Sequence, residues 1–318
     1  MKHCFITGGA GFIGSHLADR LLREGCSVKV YDNLSTGREE FLEEARKSSQ
    51  FVFLRGDLLD QKQLSKSMAG YDFVFHMAAN ADVRFGTEHP RRDLEQNTIA
   101  TFHVLEAMRE NGIQNIAFPS TGSVYGESNR FPTPENAPFP VQTSFYGASK
   151  LACEALIEAY GEGFGFQGWI FRFVSILGER YTHGHVFDFY KKLLENPKRL
   201  EILGDGHQKK SYLDVGDCIE GMLFAIRQLR EKVNIVNLGT DEYIEVNDSV
   251  RWISEELGVC PERIYAGGER GWIGDNPFIF LDCSKMHRLG WRPAMSIKEG
   301  ILKTLRYLER HQKLLGRH

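Results

Sequence analysis

Apolar residues recur along the chain in two alternating patterns. Short runs at Cys4-Phe5-Ile6, Val28-Lys29-Val30-Tyr31, Phe51-Val52-Phe53-Leu54, Phe73-Val74-Phe75, Ile116-Ala117-Phe118 and Trp169-Ile170-Phe171 read as strands buried on both faces. Between them, apolar positions take helical spacing, first through Ile13, Leu17, Ala18, Leu21 and Leu22, then at about 39–48, 61–68, 91–110 and 145–160. Strand and helix in strict alternation predict an α/β fold, a doubly wound parallel sheet with helices on both faces. Beyond residue 174 the alternation becomes irregular and glycine turns (Gly204-Asp205-Gly206, Gly267-Gly268, Gly271) break up the elements. We therefore expect a sheet domain over 1–174 and a smaller, irregular C-terminal lobe over 175–318 packed directly on it. A strand near 233–238 should return to the sheet, and an amphipathic helix should cover 297–308.

The junction of the first strand and helix holds Gly8-Gly9-Ala10-Gly11-Phe12-Ile13-Gly14. Gly8 suits the turn, Gly11 lets backbone approach a pyrophosphate, and Gly14 lets helix pack on strand. The helix N-terminus adds free N–H groups and partial positive charge. Asp32 ends the second strand eighteen residues after Gly14, close to the place of an acid that binds an adenosine ribose. Asp57, just past the third strand, lies at the edge where an adenine would sit, and the small residues of His76-Met77-Ala78-Ala79 suit close approach of a ligand. Asp32 would repel a 2′-phosphate, so the expected cofactor is NAD rather than NADP; Arg38 is the residue that could oppose this.

Composition narrows the partners. The chain has 318 residues, is 42% hydrophobic, and carries a net charge of −3, which gives no nucleic-acid surface. No apolar run has the length of a membrane span, and the first strand begins by residue 3, leaving no room for a signal peptide. Six scattered cysteines without a Cys-x-x-Cys pair point to a reducing, cytoplasmic setting and to no metal. His183 and His185 lack carboxylates nearby and read as a loop that opens a helix at 186–195.

Tyr146 and Lys150 stand four apart at the start of a helix, on one face. An ammonium beside a phenol lowers the phenol pKa and prepares it as a general base toward a sugar hydroxyl. Ser120-Thr121-Gly122-Ser123, after the fifth strand, places hydroxyl donors at the same sheet edge.

With these motifs the chain resembles the extended short-chain dehydrogenase/reductase family, and within it the nucleotide-sugar epimerases and dehydratases. The resemblance spans nearly the whole chain, from 7–14 and Asp-Asn-Leu-Ser-Thr-Gly (32–37) through Gly56-Asp57-Leu58, His76 to Ala79, Asn97, Ser120 to Gly126 and Tyr146 to Lys150. It continues in Ile-Leu-Gly-Asp-Gly (202–206), Val215-Gly216-Asp217 and Leu289 to Pro293, with 32–37 most like the UDP-glucose 4-epimerase branch. It implies a Rossmann fold and NAD held by Gly8, Gly11, Phe12, Ile13, Gly14, Asp32, Asn33, Ser35, Thr36, Gly37, Asp57, Leu58, Ala78, Ala79, Asn97, Tyr146 and Lys150. It further implies Tyr146 as base, Lys150 on the nicotinamide ribose, and Thr121 on the sugar oxygen.

For the sugar nucleotide the same resemblance implies Arg84, Ser123, Ser175, His185, Val186, Lys210, Arg270 and Asp275, with Lys210 and Arg270 as a clamp on the diphosphate. The expected reaction is C4 epimerisation of a UDP-glucose or UDP-galactose type substrate through a 4-keto sugar. A 4-ketoreductase or dehydrogenase, a 4,6-dehydratase, and a non-catalytic dinucleotide sensor are the alternatives. Departures from the family pattern fall on the substrate side: Pro119 in place of a small hydroxyl residue, Ser175 in place of asparagine, and Lys210-Ser211 in place of Arg-Asp. A homodimer is expected through helices at 97–110 and 146–160. They carry Ile99, Val104, Leu105, Ala107 and Met108, and Leu151, Ala152, Ala155, Leu156 and Ala159.

Overall fold

The computed structural model describes residues 1–80, 85–139, 141–268, 276 and 278–316. The first elements are β1 (His3–Thr7), α1 (Phe12–Arg23), β2 (Ser27–Asp32), β3 (Phe51–Arg55), α2 (Gln61–Met68) and β4 (Phe73–His76). Next come α3 (Phe85–Glu88), α4 (Pro90–Asp93), α5 (Ala100–Glu110), β5 (Asn115–Thr121), α6 (Phe145–Phe164) and β6 (Gln167–Phe173). The remainder adds β7 (Ser175–Leu177), α7 (His185–Glu195), β8 (Arg199–Ile202), β9 (Lys209–Lys210), β10 (Tyr212–Asp214), α8 (Val215–Gln228) and β11 (Val233–Leu238). It ends with β12 (Ile244–Glu245), α9 (Val246–Glu256), β13 (Glu262–Tyr265), β14 (Phe278–Ile279), α10 (Ser284–Leu289) and α11 (Ile297–Arg310).

Seven parallel strands form the central sheet in the order β11-β6-β5-β4-β1-β2-β3. The chain winds outward from β1 in one direction and then from β4 in the other, so a crevice opens at the carboxyl ends of β1 and β4. Successive strand residues point to opposite faces, and each face has its own core. Cys4, Ile6 and Ala117 pack on one side; Phe5, Ile116 and Phe118 pack on the other. A third core, including Leu177, Phe187, Tyr190, Leu200, Ile253 and Ile301, holds the later helices together. Among the described residues no helix is long and apolar enough to cross a membrane.

Three segments differ from the pattern reading. The run over 51–54 is an edge strand, with Val52 exposed at 47%, because β3 has β2 as a neighbour on one side only. The stretch 39–48 is two short 3₁₀ turns, Glu39–Leu42 and Ala45–Lys47, which suffice to bury Phe41, Leu42 and Ala45. The helix over 91–110 is interrupted by a π-helical turn, Leu94–Ile99, between α4 and α5. Val104, Leu105, Ala107 and Met108 all belong to the chain's own core; Leu94 and Phe102 are the exposed apolar residues of this region.

Candidate active site

The glycine turn is built by close packing. Gly8 has φ +66°, and a Cβ there would lie 2.6 Å from the backbone of Ala78 at the end of β4. A Cβ on Gly14 would lie 2.4 Å from the Gly8 carbonyl oxygen, so α1 rests directly on the turn. Gly11 is different: its Cβ would meet only the Gly8 oxygen, at 3.1 Å, and otherwise enter open space. Gly11 is also the N-cap of α1, with no side chain capping the helix and no acidic residue in its first turn. Phe12 and Ile13 are half-buried and pack against the core.

Asp32 is buried at the end of β2, and its carboxylate accepts from the N–H groups of Ala10 (3.0 Å) and Leu34 (2.8 Å). Burial raises its pKa, while the two N–H donors pull the other way. Gly37 packs on this carboxylate, 2.8 Å from a notional Cβ to Oδ1, and the Arg38 N–H donates to the Ala10 carbonyl at 2.9 Å. The Arg38 guanidinium itself donates to the Leu314 carbonyl at 3.2 Å and pairs with Glu40, a loop contact. Asn33 donates to Asp57 at 3.0 Å and accepts from the Ser35 N–H at 2.9 Å; Ser35 and Thr36 are exposed, and Leu58 is buried. An uncapped helix N-terminus beside open backbone at Gly11, with a carboxylate at the next strand end, fits a dinucleotide.

Thr121, Tyr146 and Lys150 come together at the carboxyl end of β5. Thr121 caps the turn Gly122–Tyr125 by accepting from the Ser123 N–H at 3.1 Å, and its hydroxyl is close enough to Tyr146 to act on the phenol. Tyr146 is half-buried on the first turn of α6, which Ser144 caps through the Gly147 N–H at 3.0 Å. Lys150 is 2% exposed, with Nζ 4.1 Å from the centre of the Phe118 ring and no hydrogen-bond acceptor among the described residues. Burial lowers its pKa to about 8, against the charges of Cys153 and Glu154. A buried ammonium without an acceptor fits a ribose hydroxyl. Beneath it, burial and the Lys150 charge bring His76 down to about 3, so its imidazole is neutral between Thr7 (2.7 Å) and Thr101 (3.0 Å).

The phenol runs against expectation. Burial, and then the charge of Asp93, push Tyr146 up to about 12; only the Thr121 hydroxyl opposes them, and Lys150 is not among the groups that act on it. The ammonium lies over the Phe118 ring. Asp93 was not evident in the sequence, although it precedes Asn97 by one helical turn. It is 1% exposed and accepts from Asn80 (2.9 Å) and Asn97 (3.3 Å). Asn97 lies in the π turn, donates to Ser149 on α6 at 2.8 Å, and accepts from the Asn80 N–H at 2.8 Å, close after the half-buried Ala78 and Ala79. Glu154 and Arg172, joined in a buried ion pair below this site, were also missed; each is a polar residue in an apolar stretch whose partner lies on another element.

On the other side of the crevice, Ser175 is exposed and stands opposite Tyr212 in the β7–β10 register. The Tyr212 ring lies 4.6 Å from that of His185, the first residue of α7, whose Nε2 is 2.7 Å from the Ser249 hydroxyl. Burial, and then the charge of Lys210, keep His185 neutral near pKa 3. Val186 is fully buried in the third core, so its N–H is the group it can present. Lys210 Nζ donates to the Asn276 carbonyl at 2.6 Å, and Ser211 bonds Thr240 at 3.1 Å. Pro119 lies beyond Ala117, the last β5 residue paired with β4, and stands opposite Phe171 in the β5–β6 register. Arg84, Arg270 and Asp275 lie outside the described residues.

The sheet order and the cradle at its crevice define a dinucleotide-binding enzyme of the Rossmann class. The chain belongs to the NAD dependent epimerase/dehydratase family, whose model matches residues 4–239, and its cofactor is NAD. It is 30% identical to a UDP-glucose 4-epimerase of Mycolicibacterium smegmatis, over 95% of this chain and 97% of that protein. A solved UDP-galactose 4-epimerase is 36% identical, with a TM-score of 0.87 over 97% of this chain and 99% of the other. The Thermus thermophilus UDP-glucose 4-epimerase in complex with NAD is 31% identical, with a TM-score of 0.85 over 96% and 99% of the two chains.

Proposed function

We propose that the protein interconverts C4 epimers of a UDP-hexose of the glucose/galactose type, acting as a homodimer. The observation that carries this reading is the convergence of Thr121, at the end of β5, with Tyr146 on the first turn of α6, where the Thr121 hydroxyl acts on the phenol, and with Lys150 one helical turn further on. NAD, when bound, supplies a hydride acceptor and a cationic ring. Tyr146 as phenolate takes the proton of the C4 hydroxyl, while Thr121 donates to the same oxygen. Positive charge near the phenol is what the site requires, since Tyr146 otherwise stands near pKa 12. Gly8, Gly11, Gly14 and Asp32 would hold pyrophosphate and ribose. Lys210 and the N-terminus of α7 would hold the sugar diphosphate, Lys210 as a point charge without arginine's bidentate fork.

The residues after Thr121 favour epimerisation over elimination. Loss of the C6 hydroxyl needs a carboxyl group beside it, and the next two residues are Gly122 and Ser123. Glu127 is exposed beyond Gly126, whose φ of +53° turns the chain. The test is to incubate the protein with NAD and UDP-glucose or UDP-galactose and follow C4 by NMR. The expected result is an equilibrium mixture of the two epimers, lost by about a hundredfold or more in Tyr146→Phe. Accumulation of a 4-keto-6-deoxy sugar would establish a dehydratase, and unchanged turnover in Tyr146→Phe would remove the proposed base.

A further inference from the structure

We infer that the buried Glu154–Arg172 ion pair is a positioning device: it locks the strand that carries Thr121 to the helix that carries Tyr146 and Lys150. The inference rests on the reading of those three residues as the reacting set. Glu154 lies on α6, one helical turn beyond Lys150 and two beyond Tyr146. Its Oε1 accepts from the hydroxyl of Ser120, the residue immediately before Thr121 in β5. Arg172 stands opposite Ser120 in the β5–β6 register and grips the same carboxylate with two nitrogens, Nε to Oε1 at 3.1 Å and to Oε2 at 3.2 Å, and Nη2 to Oε2 at 2.7 Å.

The remaining nitrogen of Arg172 reaches the far end of the Thr121 turn. Nη1 donates to the Tyr125 hydroxyl at 2.8 Å and to the Glu135 carbonyl at 3.0 Å. The guanidinium carbon lies 4.8 Å from the centre of the Tyr125 ring and 4.9 Å from that of Phe139. The Tyr125 hydroxyl in turn donates to Asn237 on β11 at 2.9 Å. Both ends of the turn that displays Thr121, and the helix that displays Tyr146 and Lys150, therefore meet at one ion pair.

Stability alone does not call for such a pair. Glu154 and Arg172 are each 1% exposed, and removing two charges from water costs about as much as their attraction returns; apolar side chains of similar volume are often as stabilising. A bidentate fork supplies what apolar packing does not, a fixed distance and orientation between the elements it joins. Thr121 and Tyr146, which in the proposed reaction bond the same sugar oxygen, lie on those two elements, and two hydrogen bonds to one atom tolerate only a few tenths of an ångström of slip.

The test is the double variant Glu154→Leu/Arg172→Met, with Arg172→Lys as a second that keeps the charge and loses the fork. The tyrosines are labelled with ¹³C at the ring carbon bearing oxygen, and the Tyr146 resonance is assigned by its loss in Tyr146→Phe. In both variants that resonance is expected to move while exposed Tyr265 stays fixed, and kcat is expected to fall about tenfold or more with KM little changed. A Tyr146 resonance at its parental position in folded variants overturns the inference. A parent protein that turns over no UDP-sugar counts against the proposed function instead, because the resonance requires no substrate.

Discussion

Lys150 carries its charge where the fold disfavours it. Its pKa falls from 10.5 to about 8, so the native state binds this proton less tightly than the unfolded chain does. Between those two values the unfolded chain still holds a proton that the native state has released, and stability rises with pH across that window. At pH 7 the buried ammonium costs about 3 kcal/mol. Lys150→Met is therefore expected to raise the unfolding free energy of the NAD-free protein at pH 7, with a gain that shrinks as pH rises above about 8, while sugar turnover is lost. Urea titrations at pH 7 and 9.5 check this; a variant less stable than the parent at both would refute it. The spacing of Tyr146 and Lys150 made this pair visible in the sequence. The direction of the Tyr146 shift was not, because it depends on desolvation and on Asp93, which only the folded chain places nearby.

Elements were legible where one local rule decided them. The runs that became β1, β4, β5 and β6 are apolar on both faces, and each lies between two neighbours in the sheet. The run of β3 has the same composition, yet its edge position is a property of strand order and no local pattern encodes it. The π turn at Leu94–Ile99 is equally silent in sequence, since it places Asn97 against Ser149 of a later helix. In the glycine turn, sequence spacing gave Gly8, Gly11 and Gly14 different roles, and packing sets how costly a side chain at each would be. Gly14→Ala forces its Cβ into Gly8 backbone 2.4 Å away, so α1 must shift; we expect a loss of about 1–3 kcal/mol in stability and weaker NAD binding. Gly11→Ala, at φ −79° and meeting only the Gly8 oxygen at 3.1 Å, should melt close to the parent and still bind NAD at least about tenfold more weakly. Calorimetry and a direct NAD titration separate the two; unchanged NAD affinity in Gly11→Ala would refute the cradle.

At the scale of the whole molecule, α6 is divided along its length. One face carries Gly147, Lys150, Cys153, Glu154 and Ile157 and is buried in the site and the core. The opposite face presents Ala148, Ala155 and Ala159 to solvent, with Leu151, Ala152 and Leu156 half-buried beside them. Alanines spaced along one helical stripe let a second helix approach closely, and Leu94 and Phe102, at 51% and 42% exposure, extend the apolar surface onto the neighbouring segment. A two-fold axis would set this face against its own copy and join two helices from each chain. Since α6 also carries Tyr146 and Lys150, the same contact would stiffen the helix that bears the reacting groups. Sedimentation equilibrium at micromolar concentration is expected to give a dimer. Ala155→Arg, a substitution at an exposed position, is expected to give a folded monomer with an unchanged far-ultraviolet spectrum and a lower melting temperature. A parent protein that sediments only as monomer would refute the assignment, as would an Ala155→Arg protein that remains a dimer.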